Sequence, residues 1–213
     1  RRAEALAAIM LGKRGIIIAG MHGKTTTSAM AAHVLRGGGL HPSHYVGAEI
    51  PILGSNAHWD SLGEYFVAEG DESDGTLQLF HPEHALILNI EEEHLDFYAD
   101  LAAIEAVFVN LLAQTTGTVF YCADDANATR LCGARDGSVS YGFSEQARYP
   151  AAPLQPHGFS APFCVPRAAA QIWDAALPEP AHPPPSNPPA RPPPAPALAL
   201  PRAHIPHRAA PYP

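Results

Sequence analysis

Two kinds of hydrophobic pattern alternate along the first 145 residues. Short, nearly unbroken apolar runs stand at residues 15–19, 64–69, 84–90, 118–122 and 138–141. Runs this short, apolar on consecutive positions, suit parallel strands buried on both faces. Between them lie segments with helical character: residues 1–11, residues 28–35 ending at Gly37-Gly38-Gly39, and residues 101–114. The last places Leu101, Ile104, Phe108, Leu111 and Leu112 on one face. Residues 45–47 and 50–53 read as short strands, with residues 54–59 a polar turn. The alternation predicts an α/β fold, a mostly parallel sheet flanked by helices. The first helix is expected to pack beside the first strand.

This pattern breaks near residue 145. Of 23 prolines, 20 lie from Pro150 onward, and nine of the fourteen positions 183–196 are proline. Each removes a backbone donor and fixes φ, which excludes helix and central strand. Residues 1–144 are therefore expected to form the domain core. Residues 145–177 form its poorly ordered end, with a strand-like stretch at 157–165. Residues 178–213 form a Pro-rich, disordered tail.

A net charge of −8 argues against a general nucleic-acid binder, since no basic stripe is there to neutralise phosphates. Cys122, Cys132 and Cys164 lack metal-ligand spacing and are odd in number, so a reduced, cytoplasmic setting and small core roles are expected. No apolar run reaches membrane-spanning length, and no signal peptide opens the chain, so no membrane partner is expected. The chain begins within a helical pattern and without methionine, which suggests truncation.

The candidate chemistry begins where the first strand ends. Gly20-Met21-His22-Gly23-Lys24-Thr25-Thr26-Thr27 is a glycine turn between strand and helix. It gathers backbone N–H groups at a helix N-terminus, which favours a phosphate. Lys24 adds a charge for terminal phosphates, and the hydroxyl of Thr25 or Thr26 can ligate Mg2+. The usual phosphate loop has a glycine five residues before its Gly-Lys pair. Ile18 stands there, so this loop is shorter.

Ligands of parallel α/β sheets bind beyond the strands' carboxyl ends. Three strands end in polar loops, at residues 20–27, 69–74 and 89–96, and these are expected to share one crevice. Glu69 and His94 can there reach a metal bridging the phosphates of ATP, with Thr25 as a third ligand. A histidine is an unusual Mg2+ ligand, which leaves a second metal open for His94. Asp71, Ser73 and Asp74 read equally well as a helix N-cap, and Glu91-Glu92-Glu93 as a solvated turn.

Taken in order, Arg1-Arg2-Ala3-Glu4, residues 19–27, residues 67–75 (Val-Ala-Glu-Gly-Asp-Glu-Ser-Asp-Gly), residues 89–96 (Asn-Ile-Glu-Glu-Glu-His-Leu-Asp) and Tyr141-Gly142-Phe143-Ser144 resemble the ATP-binding domain of the Mur ligases. The likeness covers roughly residues 1–177 and points to the branch that adds L-alanine to UDP-N-acetylmuramate. It implies an ATP-dependent ligase of peptidoglycan precursor synthesis, acting through an acyl phosphate. Gly20, Met21, His22, Gly23, Lys24, Thr25 and Thr26 would bind ATP. Thr25 and Glu69 would hold one Mg2+, and His94 would help bind a second, with Glu69 between the two. Lys24, Glu69 and His94 are the implied catalytic set. Met21 replaces a threonine usual in the family.

The family's outer domains are missing, so the chain is expected to bind ATP weakly and form no product alone. A family stretch Gly-x-His-Asn-x-x-Asn-Ala, helical and near the adenine, has its nearest counterpart in the proline-interrupted residues 180–188. That implies a frame shift or altered reading of the gene end. A murein-peptide recycling ligase of the same family is the first alternative, disfavoured by Ser73 where that type carries tyrosine. A generic phosphate-loop ATPase is the second, and a fragment with an interaction tail the third.

Overall fold

The computed structural model describes residues 2–153, 160–167 and 171–178. The central strand β1 (Arg14–Ala19) is preceded by helix α1 (Arg2–Met10) and followed by helix α2 (Lys24–Gly37). The chain then forms β2 (Ser43–Tyr45), β3 (Ala57–His58) and β4 (Tyr65–Glu69), a 3-10 turn at Thr76–Leu79, and β5 (His84–Ile87). Helix α3 (Leu101–Gln114), β6 (Val119–Cys122), α4 (Ala126–Cys132), β7 (Val139–Gly142) and β8 (Tyr149–Pro150) complete the main sheet.

The eight strands run in the order β3-β2-β4-β1-β5-β6-β7-β8, and all neighbours are parallel except β2 and β3. Each face of β1 has its own core. Ile17 joins Phe80, Ile87, Ile104, Phe108 and Leu111, whereas Ile18 joins Ala29, Ala32, Val46 and Val67. Burial on both faces is why β1 reads as an unbroken apolar run. Leu6, Ala7 and Met10 of α1 pack against the first of these cores, as expected.

Helix α3 has the bounds its pattern foretold. Asp100 caps it, accepting from Ala103 N at 2.9 Å, and Ile104, Val107, Phe108, Leu111 and Leu112 are buried. Cys132 is buried as a small core side chain, and burial pushes its thiol up to about 12.

Some expectations are corrected. Residues 50–53 form a turn, not a strand: Pro51 has no N–H to give a ladder, and Leu53 and Gly54 donate back to Ile50 O. The expected turn at 54–59 contains β3, paired with β2 through His44 opposite His58. Helix α4 was not expected; Asp125 caps it by accepting from Ala128 N at 2.7 Å. Beyond β8, the short β9 (Ala152–Pro153) and the longer β10 (Ser160–Arg167) and β11 (Gln171–Pro178) form a separate antiparallel sheet. Pro178, the first residue of the expected tail, ends β11, whereas residues 179–213 of the tail, the altered reading at 180–188 and residues 157–159 of the strand-like stretch lie outside the described residues. Among the described residues, no helix is long and apolar enough to cross a membrane.

Candidate active site

Strands β1, β4 and β5 end side by side. Ile18 pairs with Glu69 and Ala19 with Ile87, so the three following loops emerge at one level. β1 is the point where the chain departs to β2 and β4 on one side and to β5 on the other. Open α/β sheets place their ligands at such a point.

The loop after β1 is held against the loop after β5. Gly20 has φ +142°, and a Cβ there would lie 3.0 Å from both Asn89 N and Asn89 O. Only glycine allows that approach. Asn89 then clamps the turn, accepting from His22 N at 2.8 Å and donating to His22 O at 3.2 Å. Met21 N also donates to Asn89 O. Gly23 caps α2 without a side-chain acceptor, so the amides of the helix's first turn are left for an outside partner. Met21, His22, Gly23, Lys24, Thr25, Thr26 and Glu69 line a cavity of about 310 Å³ above them. Gly20, the remaining member of the expected set, shapes the turn from beneath.

Glu69 is the last residue of β4. Thr25 Oγ1 donates to its two carboxylate oxygens, at 3.1 and 2.9 Å, and Gly47 N donates to Oε2 at 2.8 Å. A Cβ at Gly47 would meet that same oxygen at 2.7 Å, so the chain after β2 can come this close only as glycine. The Thr25 hydroxyl and Glu69 carboxylate are both oxygen donors, a set that suits a hard divalent cation.

Lys24 lies on the other side of the loop. Its ammonium donates to Gly20 O at 2.7 Å, Met21 O at 3.1 Å and Glu72 Oε1 at 2.7 Å. Glu72 is 1% exposed. Burial pushes its carboxyl above the usual carboxylate range, and the Lys24 hydrogen bond pulls the other way. Tyr98 donates its hydroxyl to Glu72 O and covers the loop from α3's side.

His94 faces the same carboxylate, with Nε2 at 3.5 Å from Glu72 Oε1. Its backbone is left-handed, φ +54°, and its carbonyl accepts from Phe97 N and Tyr98 N, both at 2.9 Å. Such backbone costs on the order of 1–3 kcal/mol and clusters at functional sites. Among the described residues, no hydrogen bond or ion pair joins His94 to Glu69, and no three His, Cys, Asp or Glu side chains form a group that could hold a metal ion. The site thus has two halves: Thr25 with Glu69, and Lys24 with Glu72 and His94.

Asp71 and Asp74 close local turns of the loop rather than filling the expected N-cap, which Gly75 occupies without a side-chain cap. Asp71 accepts from Ser73 N at 3.0 Å, and Asp74 accepts from Thr76 N at 3.0 Å at the start of the 3-10 turn. Glu72, Asn89 and Gly47 were not singled out from sequence. Asn89 had a signal, a polar residue ending an apolar strand. Glu72 stood among the acids of residues 67–75 with nothing to set it apart.

The model of the Mur ligase middle domain matches residues 18–173. The UDP-N-acetylmuramate–L-alanine ligase of Salinispora arenicola is 48% identical over 132 residues, covering 61% of this chain and 26% of that protein. The chain spans between 26% and 36% of the length of the curated relatives it matches. Among solved structures, the UDP-N-acetylmuramate-alanine ligase MurC of Thermotoga maritima superimposes with a TM-score of 0.67. It is 24% identical, over 84% of this chain and 40% of that one. The MurF ligase of Thermotoga maritima in complex with ADP superimposes with a TM-score of 0.64 at 17% identity, over 82% of this chain and 43% of that one. Those two likenesses speak to the fold.

Proposed function

The chain belongs to the Mur ligase family, and from that premise we propose that it is the central ATP-binding domain of a cytoplasmic ligase joining L-alanine to the lactyl carboxylate of UDP-N-acetylmuramate. The observation that carries this reading is the meeting of Lys24, Thr25 and Glu69 around one cavity at the end of the central strand. It occurs in a chain whose curated relatives are named for that reaction. A ligase of the same fold is in complex with ADP, which supports a nucleotide as a ligand of this chain.

The chemistry follows from the residues. The amides of the loop and the Lys24 ammonium bind and orient a triphosphate, neutralising charge where phosphoryl transfer needs it. Thr25 and Glu69 would hold Mg2+, which when bound adds positive charge against the phosphate oxygens. His94 would serve a second ion from the opposite half of the site. The lactyl carboxylate oxygen attacks the γ-phosphorus and ADP leaves, giving an acyl phosphate. The amine of L-alanine then attacks the acyl carbon, expels phosphate and loses a proton, leaving an amide. Phosphate is a far better leaving group than the oxygen of a free carboxylate, which is why ATP is consumed.

ADP formation by the ligase carrying this domain is the test. The expected result is turnover that requires UDP-N-acetylmuramate and L-alanine together, with a tripeptide unable to replace the amino acid. Turnover on tripeptide, or ADP release that needs neither substrate, would overturn the assignment.

A further inference from the structure

Glu72 has no place in the chemistry above, yet it is the most deeply buried acid in the site. Its Oε1 accepts from Lys24 at 2.7 Å and lies 3.5 Å from His94 Nε2, while its Oε2 is buried without a hydrogen-bond partner. A half-satisfied buried carboxylate costs stability, and natural proteins keep few of them. The Lys24 ammonium has three protons, and the structure directs them to Gly20 O, Met21 O and Glu72 Oε1. No Lys24 proton is left for a ligand. Two of the three acceptors are carbonyls of the loop itself; Glu72 alone comes from another element and carries charge.

We propose that Glu72 is a positioning residue that holds Lys24 in reserve, so that a terminal phosphate binds by replacing Glu72 Oε1 on the ammonium. The inference rests on the nucleotide reading above. Glu72 thereby sets the affinity of the loop for polyphosphate and favours ligands able to bring a negative oxygen to Lys24. An anion hydrogen-bonded to the same ammonium lies close to Glu72 and is repelled by it. Removing that charge at such a distance is worth roughly fivefold in binding, even with water-like screening.

The experiment is calorimetric titration of the full chain and of its Glu72→Gln variant with ATP, ADP and AMP. Glutamine keeps the volume and the acceptor for Lys24 but removes the charge. The expected result is ATP binding tightened about fivefold, ADP tightened less, and AMP unchanged. A merely structural role moves all three alike. Equal changes for the three nucleotides, or weaker ATP binding, overturn the proposal. Absence of any nucleotide binding by the wild type overturns the nucleotide reading itself, whereas binding indifferent to Glu72→Gln overturns the exchange alone. Should the variant not fold, the Lys24 ammonium resonance of the wild-type chain decides. A shift on adding ATP and none on adding AMP supports the exchange; no shift with ATP overturns it.

Discussion

Opposite ends of the same parallel strands each carry an ion pair, and the two could hardly be more different. At the amino end, Arg14 meets Glu83 with two hydrogen bonds, at 2.6 and 2.7 Å, and lies over the Tyr65 ring. Its side chain is 44% exposed and that of Glu83 29%. At the carboxyl end, Lys24 meets Glu72 through one oxygen, with side chains 15% and 1% exposed. The first pair has the better geometry and needs it least, because water serves both partners. The second is dry and incompletely bonded, and it sits where phosphate is expected. Complete pairing marks a strut here, and incomplete, buried pairing marks a site.

The largest expected effect tests that contrast directly. Lys24→Met leaves the Glu72 carboxylate buried without its cation, and equilibrium denaturation should show a loss on the order of 3–5 kcal/mol. Adding Glu72→Gln should return much of it. Arg14→Met, by the same measurement, should cost no more than about 1 kcal/mol, the scale of an exposed pair. Equal losses at the two ends would erase the distinction.

A smaller effect comes from the edge of the sheet, which has a buried titratable group of a third kind. His44 is 1% exposed; its Nε2 donates to Ser55 O at 3.0 Å and its Nδ1 has no partner. Burial lowers its pKa, with the nearby Arg36 and His58 acting in the same direction. The neutral ring is therefore the form that folding favours. Stability should be fully present above the ordinary histidine value of about 6.5 and decline as pH falls through the lowered value in the fold. Thermal melts between pH 7.5 and 5 should show this decline, shallower for His44→Asn. An identical slope in the variant would assign the acid sensitivity elsewhere.

The sequence made the strand, loop and helix around residues 15–37 plain, because period and glycine placement agree there. It made α3 plain for the same reason. Helix α4 was missed because Ala126–Cys132 is too short for a period to emerge, and only the Asp125 cap announces it. β3 was missed because a two-residue edge pairing is decided by its partner, not by its own residues. In the site, Glu69 was legible as the last residue of an apolar strand. Glu72 was not, since its burial comes from Lys24, His94 and Tyr98, all distant in sequence. Composition reports an acidic loop; which acid turns inward is a tertiary matter.

The central claim is that the carboxyl ends of β1, β4 and β5 bind the terminal phosphates of ATP through Lys24. The most direct test is calorimetric titration of MgATP into the Glu72→Gln chain with and without Lys24→Met, a background in which the lysine can be removed without stranding a buried charge. Saturable binding that weakens at least about tenfold when the ammonium is lost is the predicted result. Equal affinity with and without Lys24 would contradict it.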